Sequence, residues 1–288
     1  MKPKTAIAAC RQILKRSGSS FALAFNVIPP DQRNAMTAFY AFCRCVDDAV
    51  DEAADTAAAR LSLEQWKNKI NLVFEGRPQD QICEALCWTV ERFGVKREHL
   101  DLILEGVEQD LQVNRYAGFA DLYEYCYRVA SAVGLTCITI LGEDSAEASL
   151  YAELTGIAVQ LTNILRDVGE DARLGRIYIP QEDLQTFRVA EDDLVAGRMT
   201  KNLKKLLRFE ANRAQCYYDL AAGALGRKMR HRLFFPEALR QTYRRLLHKL
   251  IEEDFPVFKR RISVGKREKI SIALKHRFHP ATFIGGSR

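Results

Sequence analysis

Two clusters of acidic residues have the composition and spacing of a site that binds metal and phosphate. The first is Asp47-Asp48-Ala49-Val50-Asp51, and the second is Asn163-Ile164-Leu165-Arg166-Asp167-Val168-Gly169-Glu170-Asp171. Each lies in a stretch with helical periodicity, where residues four positions apart share one helix face. Carboxylates stacked in this way repel each other unless a cation lies between them. Because Mg²⁺ prefers a few carboxylates together with phosphate oxygens and water, the clusters predict Mg²⁺ binding.

Each acidic cluster also has an arginine beside it. Arg44 precedes Asp47 by about one turn, and Arg166 is adjacent to Asp167. A guanidinium makes bidentate contacts with phosphate oxygens. The simplest interpretation is that two acidic patches face each other across a cavity and share Mg²⁺ ions with a diphosphate. Diphosphate is a good leaving group once Mg²⁺ neutralises it, and the allylic cation left behind needs a dry, aromatic cavity.

Each of these residues also has a purely structural interpretation. A single Asp-x-x-x-Asp on a helix is usually a solvated face, Tyr125 and Tyr243 could be core residues, and Gln160 could be a satisfied buried amide. Two clusters, each with an arginine, favour a site over these alternatives. The spacing alone does not separate cyclisation, chain elongation and head-to-head coupling.

Composition predicts a globular protein with one domain over residues 1–288 and a frayed tail from about residue 277. The chain has 288 residues, of which 48% are apolar and 28% charged, and its net charge is +6. This charge could attract a polyanionic substrate or an anionic membrane, but the basic residues are too scattered to indicate nucleic acid. No apolar run is long enough for a signal peptide or a membrane span. We expect a cytosolic protein with reduced cysteines and no obligate protein partner. Peripheral contact with the inner face of the membrane stays open.

The predicted fold class is all-α, because apolar residues recur at three- and four-residue spacing and strand signals are scarce. The predicted helices span residues 3–17, 32–53, 61–75, 79–93, 97–114, 119–141, 145–171, 202–223, 235–254 and 266–276. A further helix is predicted to end at Pro29-Pro30, and Asp31 is predicted to cap the helix that follows. That capped helix carries Tyr40, Arg44 and the first acidic cluster.

Several stretches of the chain together resemble the squalene/phytoene synthase family. They are Ser19-Ser20-Phe21, Tyr40-Ala41-Phe42-Cys43-Arg44 leading into the first acidic cluster, Tyr125-Cys126-Tyr127-Arg128-Val129-Ala130, Gln160-Leu161-Thr162 leading into the second cluster, and Arg176-Ile177-Tyr178-Ile179-Pro180. The similarity runs from about residue 15 to 275. It implies the all-α isoprenoid synthase fold, a helical bundle around a central cavity.

The resemblance also implies a reaction, the head-to-head (1′-1) condensation of two prenyl diphosphates. One substrate ionises with help from two or three Mg²⁺ ions, and the double bond of the other attacks its C1 cation to give a cyclopropylcarbinyl diphosphate. A second ionisation rearranges that product. By the same match, the Mg²⁺ ligands are Asp47, Asp51, Asn163, Asp167 and Asp171. Substrate contacts are implied for Ser20, Phe21, Tyr40, Arg44, Gln160, Asn163, Arg166, Tyr243 and Arg261, and Tyr125 is implied to line the site near the intermediate.

Two short segments of the sequence bear on the particular substrate and product. The Ser17-Gly18-Ser19-Ser20-Phe21 form looks like presqualene diphosphate synthases, and Val168-Gly169-Glu170-Asp171 resembles dehydrosqualene synthases. We therefore expect the condensation of two farnesyl diphosphates to presqualene diphosphate, with onward conversion to squalene or dehydrosqualene left open. The alternative is the condensation of two geranylgeranyl diphosphates to phytoene. NADPH is expected only if squalene is the final product. A non-catalytic assembly factor and a terpene cyclase are weaker alternatives, because the anchor aspartates are present and the second motif is not of the cyclase type.

Overall fold

The computed structural model of the chain describes residues 3–17 and 28–278, apart from the side chains of residues 275–278. Within these ranges every regular element is helical, and residues Arg115 and Ile177 form an isolated β-bridge. The first helices are α1 (Lys4–Arg16), α2 (Pro30–Asp51), α3 (Thr56–Phe74), α4 (Gln81–Phe93), α5 (Arg97–Gln109) and α6 (Phe119–Cys126). A π-helical turn (Tyr127–Ser131) leads into α7 (Ala132–Ile140), followed by α8 (Ala146–Arg173), α9 (Gln181–Thr186) and α10 (Glu191–Val195). The last four are α11 (Lys201–Ala224), α12 (Arg227–Arg232), α13 (Phe234–Glu252) and α14 (Lys266–Phe278).

The chain divides into two compact units. The first comprises Met1–Leu111 and Leu135–Ser145, and the second comprises Gln112–Gly134 and Ala146–Arg288. The sequence predicts one domain, and that remains a prediction.

Helix α2 lies at the centre of the first unit, where it packs against α1, α3, α4 and α5. Its buried face carries Phe39, Phe42 and Val46, at spacings of three and four residues. The Phe42 ring meets the edge of Trp66 with ring centroids 5.8 Å apart, and Trp88 meets Phe93 at the same distance. Because this face is held in the core, the opposite face of α2 is left to present its polar residues.

The second unit is built around α8, the longest helix among the described residues. It packs along α11, where the hydroxyls of Thr162 and Tyr218 lie 2.9 Å apart. A buried ion pair between Arg240 and Glu237 joins the same core, and Arg240 Nη1 donates to the carbonyl of Tyr218 at 3.0 Å. Since both partners are satisfied, this buried pair avoids the cost of an isolated charge.

The helix boundaries depart from the sequence predictions in two informative places. The prediction that Asp31 caps α2 is wrong, because the helix begins at Pro30 after Pro29 and has no side-chain cap. Proline suits the first helical position, where its missing N–H would have no partner in any case. The predicted helix over 119–141 is not uniformly α-helical, because the π turn interrupts it. The predicted helix ending at Pro29-Pro30 and the frayed tail fall largely outside the described residues.

No helix within the described residues is both long enough and apolar enough to cross a membrane.

Candidate active site

Asp47 and Asp51 lie one turn apart on the polar face of α2, as the spacing predicts. Partial loss of hydration raises the pKa of Asp47 to about 7, and the like charge of Asp51 adds to the rise. The Arg44 guanidinium opposes this shift without cancelling it. A carboxylate whose negative charge is disfavoured by its surroundings is the kind of group that a divalent cation stabilises.

Arg44 and Tyr40 lie on the same helix, and each has a partner within the first unit. Arg44 forms an ion pair with Asp48 one turn later, and its side chain remains 43% exposed. The Tyr40 hydroxyl donates to Ser17 Oγ at 2.8 Å, which links α2 to the end of α1. A half-exposed arginine with a flexible partner is available to an incoming phosphate.

The second cluster lies on α8 within the second unit. Gln160 and Asn163 face the same side, and Asn163 Nδ2 donates to Gln160 Oε1 at 3.3 Å. The Oδ1 atom of Asn163 is buried and accepts no hydrogen bond among the described residues. A buried acceptor without a donor costs free energy, so this oxygen is poised for a ligand such as a cation.

Asp167 accepts hydrogen bonds from two arginines. Arg166 Nε donates to Asp167 Oδ1 at 2.8 Å, and Arg261 Nη2 donates to Asp167 Oδ2 at 2.9 Å. Arg261 is brought here from the segment before α14, and its side chain is 60% exposed. The structure thus groups two of the predicted diphosphate-binding cations around one predicted metal ligand. Asp171 follows one turn later, and its charge acts on Arg166.

Tyr243 and Tyr125 occupy different environments in the second unit. Tyr243, on α13, packs partly buried against the core, and its phenol acts electrostatically on Arg166. Tyr125 is only 3% exposed and lies in a stack of three tyrosines, with centroids 5.2 Å from Tyr178 and 5.5 Å from Tyr116. A ring this enclosed supports the wall of a site more readily than it offers surface to a substrate. The predicted residues Ser20 and Phe21 lie outside the described residues.

Two further acidic residues change the pKa of neighbouring side chains, and the motif spacing in the sequence does not identify them. Asp110, at the end of α5, adds to the rise in the Asp47 pKa, so a third carboxylate belongs to the surroundings of the first cluster. Glu153 on α8 accepts a hydrogen bond from Tyr123, and its charge also acts on Tyr127 and Tyr217. Neither residue belongs to a repeated acidic pattern, so only the three-dimensional arrangement identifies them.

The residues of both clusters fit Mg²⁺ by their chemistry. All the candidate ligands offer oxygen, and the unpaired Asn163 Oδ1 and the raised pKa of Asp47 both indicate groups that a cation would stabilise. Within the described residues no three His, Cys, Asp or Glu side chains form a metal-binding group by themselves. Mg²⁺ commonly combines a few carboxylates with diphosphate oxygens and water.

Comparisons with known proteins identify the family of the chain. The model of the squalene/phytoene synthase family matches residues 14–268. The 15-cis-phytoene synthase of Synechococcus elongatus is 37% identical over 276 residues, which cover 91% of this chain and 89% of that protein. Phytoene synthase 1 of Arabidopsis thaliana is 35% identical over 268 residues, covering 91% of this chain. The match spans only 64% of the length of that plant relative.

Comparison with solved structures identifies the fold of the chain. A dehydrosqualene synthase in complex with a ligand matches with a TM-score of 0.86 and 29% identity, over 98% of each chain. A squalene synthase from Alicyclobacillus acidocaldarius matches with a TM-score of 0.79 and 27% identity, covering 88% of this chain and 95% of that one. The fold is thus the all-α isoprenoid synthase fold, as predicted. The chain belongs to the squalene/phytoene synthase family.

Proposed function

We propose that this protein condenses two molecules of geranylgeranyl diphosphate to phytoene in a Mg²⁺-dependent reaction. The observation that carries this proposal is the 37% identity to a 15-cis-phytoene synthase, 89% of whose length is matched. The plant phytoene synthases add support at 34–35% identity. The sequence motifs favour farnesyl diphosphate, which has 15 carbons. The similarity to phytoene synthases favours geranylgeranyl diphosphate, the C20 substrate.

Different residues of the chain would bind Mg²⁺, bind diphosphate and enclose the prenyl chains. Asp47, Asp51, Asn163, Asp167 and Asp171 are the candidate Mg²⁺ ligands, and bound Mg²⁺ would neutralise the leaving diphosphate. Arg44, Arg166 and Arg261 would bind diphosphate oxygens, with Arg166 and Arg261 already beside Asp167. Gln160 holds the amide of Asn163 through a hydrogen bond, which leaves the Asn163 oxygen available. Tyr40 and Tyr243 complete the proposed contacts, and the buried Tyr125 stack would support the apolar wall that excludes water.

A second candidate is the condensation of two farnesyl diphosphates to presqualene diphosphate, with onward conversion to dehydrosqualene or squalene. The observation in its favour is the match to the dehydrosqualene synthase structure over 98% of each chain. Only the squalene outcome would use NADPH as the reductant. The two candidates share their ionisation chemistry and differ in the prenyl chain that the site accepts.

Product analysis decides between these functions. Purified protein is incubated with Mg²⁺ and either farnesyl or geranylgeranyl diphosphate, with and without NADPH. Phytoene from the C20 substrate alone, with no need for NADPH, is the expected result. C30 products from farnesyl diphosphate would replace the proposal by the second candidate. No release of diphosphate from either substrate would instead support a non-catalytic assembly factor, the remaining alternative.

A further inference from the structure

The link between α13 and α14 crosses α8 beside the second acidic cluster. This link, residues 255–265, contains no helix or strand and is called the crossing segment below. It contacts α8 at two places, Gly169 and Asp167. Because a helix turns by about 100° per residue, residues two apart point to different sides of it. The crossing segment therefore bends around α8 between the two contacts, and its distance from the helix at Gly169 limits how far Arg261 reaches.

Burial fixes the backbone of the crossing segment. Its buried apolar side chains belong to the core of the second unit and are Phe255, Val257, Ile262 and Val264. From α13, Lys249 Nζ donates to the carbonyl of Ser263 at 3.1 Å. Ile262 is only 2% exposed, whereas the side chain of the adjacent Arg261 is 60% exposed. The guanidinium of Arg261 is thus carried by an anchored backbone.

Two residues with left-handed backbone conformation lead into the crossing segment. Asp254 and Phe255 each have a φ of 56°, which bulky residues rarely adopt. The N–H of Phe255 donates to the carbonyl of Leu250 at 2.8 Å. The Asp254 carboxylate accepts a hydrogen bond from Arg208 Nη2 at 2.8 Å. Backbone strain of this kind persists only where the surrounding structure holds it, so the turn directs the chain out of α13 along one defined path.

A close approach at Gly169 holds the middle of the crossing segment against α8. A Cβ atom at Gly169 would lie 2.7 Å from Phe258 Cδ1 and 2.8 Å from the carbonyl oxygen of Val257, nearer than side chains approach. The Phe258 ring also lies close to Gly197, after α10, where a Cβ atom would be 3.7 Å from Phe258 Cγ. Glycine within a helix lowers helix stability relative to alanine. The contact with the crossing segment gives a steric reason for glycine at this position of α8.

We propose that Gly169 is a positioning residue that sets the reach of Arg261 toward the diphosphate of the substrate. A side chain at Gly169 would push Phe258 and Val257 outward and carry Arg261 away from Asp167. The inference rests on the proposed function, in which Arg261 binds diphosphate, and it applies to either prenyl chain length. It gives a role to the glycine of the second acidic cluster, which has no side chain to offer to metal or phosphate.

Diphosphate affinity tests this role directly. Titration calorimetry on the full chain measures the binding of inorganic diphosphate in the presence of Mg²⁺. We expect Gly169→Ala to weaken binding about fivefold to tenfold, approaching the effect of Arg261→Gln, because a charge-assisted contact is lengthened or lost. The control Gly223→Ala changes another helical glycine of the second unit, where a Cβ atom would meet nothing within 4 Å, and full affinity is expected. Unchanged affinity in Gly169→Ala or in Arg261→Gln would overturn the proposal.

A double variant separates positioning from general damage to the fold. If Gly169 acts through Arg261, Gly169→Ala/Arg261→Gln binds diphosphate no more weakly than Arg261→Gln alone. A loss equal to the product of the two single losses would contradict the proposal, because the two residues would then act independently. In steady-state kinetics we expect Gly169→Ala to raise KM for geranylgeranyl diphosphate by the same factor as its loss of affinity, with kcat within about twofold.

The other side of the same contact gives a test that leaves α8 unchanged. Phe258→Ala removes the ring that packs on Gly169, and we expect the loosened segment to bind diphosphate several-fold more weakly. Phe187→Ala removes another half-buried phenylalanine that packs against the same core, and its affinity is expected to match that of the unmodified protein. Equal losses in the two variants would refute the assigned contact.

Turnover of geranylgeranyl diphosphate, measured in parallel, separates this inference from the proposed function. An unmodified protein that binds diphosphate but turns over no prenyl substrate would overturn the proposed function, and the measured affinities would still decide the role of Gly169. Absence of diphosphate binding by the unmodified protein would overturn the positioning role itself.

Discussion

Asp47 and Asp167 hold corresponding positions in their clusters but have opposite surroundings. The like charge of Asp51 and partial loss of hydration act against the ionised form of Asp47. Asp167 instead accepts hydrogen bonds from two guanidiniums. A bound cation would therefore favour the ionised form of Asp47, whereas Asp167 is already matched by positive charge within its own unit.

Substitution of either aspartate is expected to stop catalysis. We expect Asp47→Asn and Asp167→Asn each to lower the rate of diphosphate release on the order of 100-fold or more, since stabilisation of the leaving group is lost. Diphosphate release from geranylgeranyl diphosphate provides the measurement. Asp101→Asn is a matched control, because Asp101 is a helical aspartate that pairs with Arg97 one turn before it and belongs to neither acidic cluster. Turnover that survives in both active-site variants would contradict a shared Mg²⁺ role.

Arg261 allows a finer test of diphosphate binding. We expect Arg261→Gln to raise KM for the prenyl diphosphate about tenfold, because a charge-assisted contact with phosphate is lost. The neighbouring Arg260→Gln removes an exposed guanidinium that pairs with Glu253, and KM is expected to stay within about twofold. Steady-state kinetics on both variants separates the two cases. Equal KM values would remove Arg261 from the proposed site.

At the residue scale the sequence names candidate side chains and says little about the partners that surround them. Arg44 precedes Asp47 by about one turn, and its guanidinium pairs with Asp48, because a helix offers several acidic partners at similar distance. Tyr125 was predicted to line the site, and it is enclosed by Tyr116 and Tyr178 from other segments of the chain. Such partners come from residues distant in sequence, and spacing within one helix contains no information about them.

The π turn after α6 is the element whose geometry the sequence least reveals. Its residues, Tyr127–Ser131, include no glycine or proline that would mark a break, so the sequence predicts one continuous helix. Its packing is tight, because Ser131 Oγ donates to the carbonyl of Glu153 at 2.8 Å and Gly156 lies against Ser131. The long helices themselves follow from the sequence, since they have an apolar face and most of them end near a glycine or proline.

Gly156 is expected to tolerate no side chain. A Cβ atom there would come within 2.5 Å of the Cα and N atoms of Ser131, and backbone atoms of a packed helix cannot easily move away. We expect Gly156→Ala to lower the free energy of unfolding by about 1–3 kcal/mol, as overpacked cores do. Denaturant unfolding followed by circular dichroism gives the value.

Gly223→Ala is the matched control for this element. Gly223 also lies in a helix, and a Cβ atom there would meet nothing within 4 Å. We expect this change to leave stability unaltered or to raise it by about 0.5–1 kcal/mol, because alanine favours the helix. A destabilised Gly223→Ala together with a neutral Gly156→Ala would contradict the packing described for α8 and the π turn.

Across the whole molecule, a buried carboxylate predicts how stability varies with pH. Burial raises the pKa of Glu210 from about 4.5 to about 8, and Asp183 adds to the rise against the opposing Arg213 guanidinium. Between these values the folded state holds a proton that the unfolded state releases, so stability falls as pH rises. We expect the melting temperature to drop from pH 5 to pH 8.5, and we expect Glu210→Gln to reduce that drop.

The control for this pH dependence is Glu105→Gln, which changes an exposed glutamate on α5. It should leave the slope of melting temperature against pH as it is in the unmodified protein. Thermal melts at several pH values provide the comparison. If Glu210→Gln and the unmodified protein show the same slope, the Glu210 carboxyl does not hold its extra proton in the folded state.

The distribution of tryptophan makes the protein its own reporter of folding cooperativity. Both tryptophans of the chain, Trp66 and Trp88, pack against phenylalanines within the first unit, whereas helices of both units contribute to circular dichroism. Tryptophan emission therefore follows the melting of the first unit, while ellipticity follows the entire chain. The predicted single domain requires the two signals to change at the same denaturant concentration. An emission change that comes first would reveal an intermediate in which the helices that carry Asp167 stay folded after those that carry Asp47 have melted.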